Sequence, residues 1–342
     1  MNYIASEFIG IDGNDHKPKY RQLIAAVLRA VATGQLGIGA PLPSINRLCR
    51  DCNISRDTAV KAYAELARDG VIRSCHGKGF FIAAAADDLR ELRVLLLMDT
   101  INLYKEDIYR GTIAALPGNA RTDMLFHHFS PSVAATLLRQ QGSSYDGIGI
   151  IPPGKMCGEE LIAAIKTLSE GGRRIFMLDW PADDLPMPGA FQNFQHSFDA
   201  ALAPYKEELR RYRRLNLSIS KPYNHILAEL NDGFVQFCTR QQLNFSTDEA
   251  AVPVAGELYL TVNDLDMVKL IKCGLASGLR PGEDYGLITY NETPVNELIC
   301  GGLSSISTDF IKLGQCFADF MLGRNDSAVT VIPARLIRRH SF

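Results

Sequence analysis

Residues 41–79 decide the fold of the first part of this 342-residue chain; they are PLPSINRLCRDCNISRDTAVKAYAELARDGVIRSCHGKG. Apolar residues recur in this segment at helical spacing, which gives each of two short helices one inward face. Ser44 and Ser55 stand where these helices begin, and serine is a preferred N-cap residue. The pattern therefore predicts a helix, a short turn and a second helix. The apolar positions are Leu48, Cys52, Ile54, Ala59, Tyr63 and Leu66.

The residues after the second helix predict a small antiparallel wing. Gly70 ends the helix, and two strand-like runs follow at residues 71–73 and 80–82. Between them, residues 74–79 contain glycines where a tight turn needs a positive φ. A helix-turn-helix places its second helix in the major groove of DNA. We therefore expect a DNA-binding head with a basic wing tip.

This segment resembles the winged helix of GntR-type transcriptional regulators. The motifs that carry the resemblance are Leu42-Pro43-Ser44, Ser55-Arg56-x-Thr58, Leu66-x-x-x-Gly70-Val71-Ile72 and His76-Gly77-Lys78-Gly79, with a lead-in that begins at Pro18. Asn46 and Val60 stand where the family often has arginine, so the base preference of the family does not transfer.

The resemblance implies that different DNA-binding residues contact different parts of the DNA. On the recognition helix, it implies a DNA contact for Ser55, at the start of the helix, and major-groove contacts for Arg56, Thr58 and Lys61. Contacts to phosphate or to the minor groove are implied for Ser44, Arg47, His76, Gly77 and Lys78.

The charge of the chain is unevenly distributed. Residues 1–86 hold eleven Lys and Arg against seven Asp and Glu, a net charge of +4, whereas the whole chain has a net charge of −2. The remaining residues must therefore carry −6. This asymmetry favours a nucleic-acid-binding head on an acidic body.

Composition also bears on location and on metal sites. No apolar run reaches the roughly 18 residues of a membrane helix, and no basic region followed by an apolar one opens the chain, so we expect a cytoplasmic protein. Eight cysteines are scattered through apolar neighbourhoods, which predicts reduced, buried thiols. Cys49-x-x-Cys52 lacks the second ligand pair of a zinc site, so no metal site is predicted.

From Leu92 onward, buried strands alternate with helices. The apolar run 92–98 is typical of a strand in a parallel sheet. Strands are also predicted at 124–129, 147–151 and 174–178, helices at 131–141 and 159–170, and the second half repeats the plan. Repeated βα units predict an α/β body with two lobes, each a doubly wound parallel sheet.

The predicted domain plan has three parts. Residues 1–83 form the winged helix-turn-helix domain, residues 84–91 a linker, and residues 92–342 a two-lobed domain for effector binding and dimerisation. The linker is placed where the alanine run that starts at Ala83 interrupts the strand pattern.

Polar and aromatic residues stand at predicted strand ends in both halves of the body. Ligands of such sheets bind at the carboxyl ends of the strands, where carboxylates and amides can hold hydroxyls and a ring can pack on a sugar face. Asp and Asn are also common turn residues after strands, but their repetition favours a ligand site. The candidate ligand-binding residues are Asp99, Thr100, Tyr104, Asp179, Asn263 and Asn291.

The body resembles the effector domain of lactose-repressor-type regulators, which are relatives of periplasmic sugar-binding proteins. The stretches that carry the resemblance are 262–264, 278–285, 290–294 and a closing strand within 331–339. The resemblance implies sugar contacts for Asn263, Asn291 and Asp179. Leu230 replaces an arginine of the family pattern.

These features predict a sequence-specific regulator of carbohydrate-utilisation genes, a repressor that binds operator DNA as a homodimer and responds to a small sugar between two lobes. A monosaccharide, a sugar phosphate and a non-sugar effector all stay open. The alternative is an enzyme, such as a pyridoxal-phosphate-dependent body on a DNA-binding head. No dinucleotide fingerprint, nucleophile elbow or metal-type histidine spacing supports it, so we predict no catalytic residue and no cofactor.

Overall fold

The computed structural model describes residues 11, 18–84, 91–219, 225–248, 252–324 and 329–342. The chain divides into two compact units, residues 1–94 with 116–123, and residues 95–115 with 124–342. Most of the linker predicted at 84–91 lies outside the described residues. Within the described ranges, no helix is both long enough and apolar enough to cross a membrane.

The N-terminal domain is the predicted winged helix-turn-helix. Its apolar core includes Leu23, Val27, Leu48 and Tyr63, which come from all three helices. The Tyr63 hydroxyl donates to the carbonyl oxygen of Pro43 at 2.8 Å, which fixes the third helix against the segment that leads into the second. The elements are α1 (Lys19–Ala32), α2 (Ile45–Asp51), α3 (Arg56–Arg68), β1 (Ile72–Cys75) and β2 (Gly79–Ile82).

The body alternates strands and helices over its whole length. In chain order its elements are β3 (Arg93–Met98), α4 (Leu103–Ala115), β4 (Arg121–Phe126), α5 (Pro131–Gln141), β5 (Gly147–Ile150), α6 (Glu159–Glu170), β6 (Arg174–Asp179), β7 (Gly189–Phe191), α7 (Ser197–Leu202), α8 (Lys206–Leu209), β8 (Leu215–Ser218), α9 (His225–Gln241), β9 (Phe245–Ser246), β10 (Leu258–Thr261), α10 (Asp264–Ala276), β11 (Gly286–Tyr290), β12 (Ser304–Ser307), α11 (Phe310–Met321), β13 (Val329–Val331) and β14 (Arg335–Ile337).

Two six-stranded sheets organise these elements into two lobes. The sheet of lobe 1 has the order β13-β7-β6-β5-β3-β4, and the sheet of lobe 2 has the order β14-β12-β11-β10-β8-β9. The strand pairs whose residue register is assigned are parallel, except that β14 is antiparallel to β12. The predicted α/β fold with two parallel-sheet lobes is confirmed.

The chain passes between the lobes three times. It leaves lobe 1 after β7, through residues 192–196, and returns after β12, through residues 307–309, because α11 packs on α4 and β6 of lobe 1. It leaves again after β13, through residues 332–334, to add β14 to lobe 2. These three crossings form the connection between the lobes.

Three local predictions were wrong. A strand was predicted at 124–129, but the observed strand is Arg121–Phe126. This edge strand begins with polar residues, so a search for apolar runs places its start too late. The single closing strand predicted within 331–339 is two strands in different lobes. The prediction that the thiols are buried is correct only for Cys157, Cys238 and Cys316; the other five cysteines are half-buried.

Candidate DNA-binding surface and interlobe cleft

Two serines organise the helix-turn-helix. The Ser44 hydroxyl accepts from the backbone N–H of Arg47 at 3.3 Å, and the Ser55 hydroxyl accepts from the backbone N–H of Thr58 at 3.2 Å. Each satisfies a donor that the first turn of a helix leaves free. Both serines are exposed, so capping leaves them accessible to a phosphate.

Arg56 lies exposed on the first turn of α3. Its Nη1 donates to Asn46 Oδ1 at 2.8 Å, which joins the first turns of α2 and α3. A guanidinium has five N–H donors, so this bond leaves others available to a base edge. Lys61, one turn along the same helix, lies with its ammonium 4.1 Å from the ring centroid of Tyr20. Tyr20 therefore biases the direction of a side chain predicted to enter the groove.

The wing tip presents three exposed residues, His76, Gly77 and Lys78. Gly77 has a φ of 73°, and the Lys78 N–H donates to the Cys75 carbonyl oxygen at 3.0 Å to close the turn. A slim basic turn of this kind can approach a phosphate backbone closely. The DNA contacts of all nine predicted residues stay predictions.

In the body, the first strand end of lobe 1 holds a buried ion pair. Asp99, directly after β3, accepts from the Nζ of Lys105 and from the backbone N–H of Thr100. Asp99 and Lys105 are 2% and 1% exposed. The Tyr104 ring lies beside the pair, with its centroid 5.5 Å from Lys105 Nζ and 4.8 Å from the ring of Phe310.

Asp179 ends β6 and is 1% exposed, with a φ of 74°. One of its oxygens accepts from the side-chain amide of Gln192. The side-chain oxygen of Gln192 accepts from the hydroxyl of Thr308 at 2.9 Å. Hydrogen bonds from Asp179 through Gln192 to Thr308 therefore join the first two crossings between the lobes. Burial raises the pKa of Asp179 to about 6, although the Gln192 bond and the Lys105 charge lower it.

Two contacts join the lobes across what we call the interlobe cleft, the space between the carboxyl ends of the two sheets. The Trp180 and His225 rings meet edge to face, with centroids 5.5 Å apart. Lys155 Nζ, on the loop after β5, lies 2.7 Å from Glu229 Oε1 on α9. Trp180 is buried, and neither its indole N–H nor His225 Nε2 has a hydrogen-bond partner among the residues that the structure describes.

In lobe 2 the two predicted asparagines have different surroundings. Asn263 caps α10, since its Oδ1 accepts from Asp266 N at 2.8 Å and its Nδ2 donates to Asp266 Oδ2 at 2.7 Å. Asn291 follows β11 with a φ of 70°, and its buried Oδ1 has no partner in the part of the chain that the structure describes. Backbone in the left-handed region at such a position is a recognised mark of functional sites.

A narrow gap, too small to hold a water molecule, lies at the strand ends of lobe 2. Phe198 and Ile306 line it together with Thr261, Thr289 and Tyr290. The hydroxyls of Thr261 and Thr289 are buried, and no described residue bonds to either of them. Unpaired buried polar atoms thus occur at the strand ends of both lobes, where a ligand could supply the missing bonds.

The sequence missed several residues of this arrangement. Lys105 was not predicted as part of the site, and nothing local marks Gln192, His127 or His225. His127 Nε2 lies 2.9 Å from the Ile151 carbonyl oxygen, and burial lowers the pKa of this histidine. Only pairing between distant segments places these side chains, so local patterns could not have found them. The ligand contacts of the six predicted residues stay predictions.

Residues 19–82 match the model of the gntR family of bacterial regulatory proteins. The HTH-type transcriptional regulator YdfD of Bacillus subtilis is 37% identical over 62 residues, 18% of this chain and 13% of the relative. The probable fructoselysine utilization operon transcriptional repressor of Escherichia coli is 35% identical over 71 residues, 21% of this chain and 29% of the relative. The chain thus covers less than a third of the length of these relatives.

Solved structures match a larger part of the chain. The Lac repressor bound to ONPG matches 84% of this chain and 90% of its own, with a TM-score of 0.57 and 17% identity. The LacI-family regulator CCPA from Weissella paramesenteroides with bound sucrose matches 73% of this chain and 98% of its own, with a TM-score of 0.57 and 13% identity. At these identities the likeness shows the fold alone.

Proposed function

We propose that this chain, which joins a GntR-family helix-turn-helix domain to a body with the fold of LacI-family regulators, is a transcriptional repressor of carbohydrate-utilisation genes. It binds a palindromic operator as a homodimer, and a small sugar between the lobes lowers its affinity for DNA. The proposal has a DNA-binding part and a ligand-binding part, which rest on different observations.

The DNA-binding part is supported by the first turn of α3. Ser55 caps this helix, and Arg56 projects from it while bonded to Asn46, so a guanidinium is held near the start of an exposed recognition helix. Arginine in this position can bind guanine O6 and N7 with two bonds. Lys78 at the wing tip would add a phosphate contact.

The observation that carries the ligand-binding part is a set of buried polar atoms at the strand ends of both lobes that have no partner within the described ranges. They include Trp180 Nε1, His225 Nε2, Asn291 Oδ1 and the hydroxyl of Thr289. Leaving such a group unpaired in a protein interior costs about 1–3 kcal/mol, and a hydroxyl-rich ligand would recover that cost. The rings of Trp180 and Tyr104 suit the apolar face of a sugar. The sucrose in the Weissella structure is consistent with this class.

The crossings support a coupling between ligand and DNA. The bond between Gln192 and Thr308 joins two of them beside Asp179, so a ligand held at Asp179 would act on the connection between the lobes. A ligand changes the DNA affinity only by as much as its own affinity differs between the two arrangements of the lobes.

The enzyme alternative has less support. A pyridoxal-phosphate enzyme needs a lysine amine that can form a Schiff base. Lys105 is the buried lysine among the described residues, and its ammonium is engaged by Asp99.

The test starts with the purified full chain. Thermal-shift measurements against neutral, amino and phosphorylated sugars identify a ligand, since a ligand at 100 times its Kd stabilises by about 2.7 kcal/mol. DNA selected from a random library identifies the operator, and fluorescence anisotropy then measures operator affinity with and without the ligand. Light scattering on the complex gives the number of chains bound.

We expect a dimer on a palindrome and an operator Kd that rises when the ligand is added. Failure to select any DNA would refute the DNA-binding part. Failure of every sugar to stabilise a protein that melts cooperatively would refute the ligand-binding part.

A further inference from the structure

The strand ends of lobe 1 hold more buried negative charge than positive charge. Asp99 and Asp179 supply two carboxylates, and Lys105 supplies one ammonium. The Lys105 ammonium donates its side-chain hydrogen bond to Asp99. Asp179 accepts its side-chain hydrogen bond from Gln192, which is a neutral amide. The charge of Asp179 therefore has no ion-pair partner within the described part of the chain.

The nearby histidines do not make up the difference. His127 lies near Asp99 and Lys105, but burial lowers its pKa. Burial also lowers the pKa of His225. Both imidazoles are therefore held toward the neutral form.

The outer part of the cleft has the same imbalance. Lys155 pairs with Glu229, and the charges of Asp183 and Asp232 also act on Lys155. Three carboxylates thus act on one ammonium, and one of them is bonded to it, at the place where lobe 1 meets α9. A cleft lined by one sign of charge concentrates ligands of the opposite sign.

Asp179 is placed to receive a ligand. The charge of its carboxylate acts on Tyr104 of lobe 1 and on Tyr290 of lobe 2. One oxygen is bonded to Gln192, and the second has no donor among the described residues. The next residue, Trp180, adds a buried indole N–H that has no acceptor in the described part of the chain and that a ligand oxygen would satisfy. The ligand should therefore carry a positive charge for Asp179 and an oxygen acceptor for Trp180.

We infer that the effector is a sugar carrying a protonated primary amine, and that its ammonium binds the Asp179 carboxylate. The inference rests on the proposed function, in which a sugar occupies the interlobe cleft. An ammonium would give Asp179 the ion-pair partner that the described residues do not supply, and charge-assisted hydrogen bonds are about twice as strong as neutral ones. A neutral hydroxyl could fill the same space but would leave the charge uncompensated.

The test compares matched pairs of sugars on the full chain by calorimetry. The pairs are glucosamine with glucose, galactosamine with galactose, and 1-amino-1-deoxyfructose with fructose; N-acetylglucosamine keeps the shape of glucosamine without the charge. At least one amine should bind ten times more tightly than its neutral partner, and acetylation should abolish that gain. Asp179→Asn should reduce the affinity ratio of that pair to about one.

Glu170→Gln is the matched control, because Glu170 is an exposed carboxylate at the last residue of α6, the end away from the strand carboxyl termini. It should leave the ratio unchanged.

The outcomes separate the two proposals. Equal or tighter binding of the neutral sugars by the wild-type protein would overturn the amine inference and leave the sugar-responsive repressor in place. An amine preference that survives Asp179→Asn would also overturn it, because the amine would then be bound elsewhere. If neither sugar of any pair binds, the result counts against the proposed function itself. The wild-type comparison does not depend on whether the variant folds.

Discussion

Asp179 and Asn291 occupy corresponding places in the two lobes. Asp179 ends β6 and Asn291 follows β11, and each of these strands is the third in the order of its sheet. Both residues have a left-handed backbone, with φ values of 74° and 70°. Non-glycine residues rarely adopt this region, so the two lobes repeat one local conformation where their strand ends meet.

This conformation allows a test that separates ligand binding from folding. Asn291→Gly removes the side chain but suits the positive φ, so the free energy of unfolding should stay within about 1 kcal/mol of wild type. Sugar affinity should fall at least tenfold, because the unpaired Oδ1 is lost. Asn291→Val should destabilise the protein, since a branched side chain is strained at this φ. Thermal melts measure the stability of the variants, and calorimetry measures their affinity for sugar. If Asn291→Gly binds sugar as tightly as wild type, Asn291 is not part of the binding site.

Asp179 should make the stability of the ligand-free protein depend on pH. Burial raises its pKa to about 6, above the ordinary value of an aspartate, so the folded protein binds this proton more tightly than the unfolded chain does. Its contribution to stability is therefore most favourable at low pH, decreases as the pH rises from about 4 to about 6, and stays unfavourable above that.

Asp179→Asn should accordingly stabilise the ligand-free protein at pH 7.5, by about 1–3 kcal/mol. The difference in melting temperature between variant and wild type should shrink as the pH is lowered toward 4. Melts of both proteins across this range provide the measurement. A difference that does not change with pH would mean that Asp179 is not the titrating group.

Arg56 and Lys78 should affect DNA binding in different ways. Loss of a good base contact costs about 1–3 kcal/mol and relaxes specificity at one position, which is the result expected for Arg56→Ala. Loss of a phosphate contact should weaken binding to all sequences alike and reduce the salt slope by about one, which is expected for Lys78→Ala. Anisotropy titrations at several salt concentrations, with operator and scrambled DNA, distinguish the two. Asn46→Ala measures how much of the Arg56 effect depends on the bond that positions it.

Gly111 and Gly314 should be intolerant of any side chain. A Cβ on Gly111 would lie 2.0 Å from the Ile311 carbonyl oxygen, and one on Gly314 would lie 2.0 Å from the Ile108 carbonyl oxygen, so α4 and α11 meet backbone to backbone. Gly111→Ala and Gly314→Ala should each destabilise by about 1–3 kcal/mol or more in denaturant unfolding. Gly37→Ala is the control, because a Cβ there meets nothing within 4 Å. Equal stability of all three variants would contradict the close packing.

The N-terminal domain could be predicted almost residue by residue because its signals are local. Serine caps, a helical apolar period and a glycine stop predicted a helix from Ser55 to Arg68, and α3 is Arg56–Arg68. In the body, α5 and α6 were predicted with their observed bounds, since their proline or glutamate starts are equally local.

The cleft was less predictable because its geometry depends on distant segments. The sequence pointed to Asp179, but Gln192 and Thr308, which connect it to the crossings, are separated from each other by 116 positions. Lys105 is the clearest miss, since a lysine in a helix normally lies in solvent. Asn263 shows the opposite problem, because a residue type that suits a sugar also suits a helix cap, and its amide forms the cap of α10.

The last fourteen residues have a consequence for how this chain can be cut or shortened. They hold β13, the edge strand of one sheet, and β14, the edge strand of the other. A truncation before Val329 would therefore expose an unpaired edge on both lobes in a single step, and no contiguous fragment of the body contains one complete lobe without elements of the other. The last fourteen residues therefore complete an edge of both sheets. A chain that ends before them exposes an open sheet edge in each lobe, and open edges are the places where sheets pair with other chains.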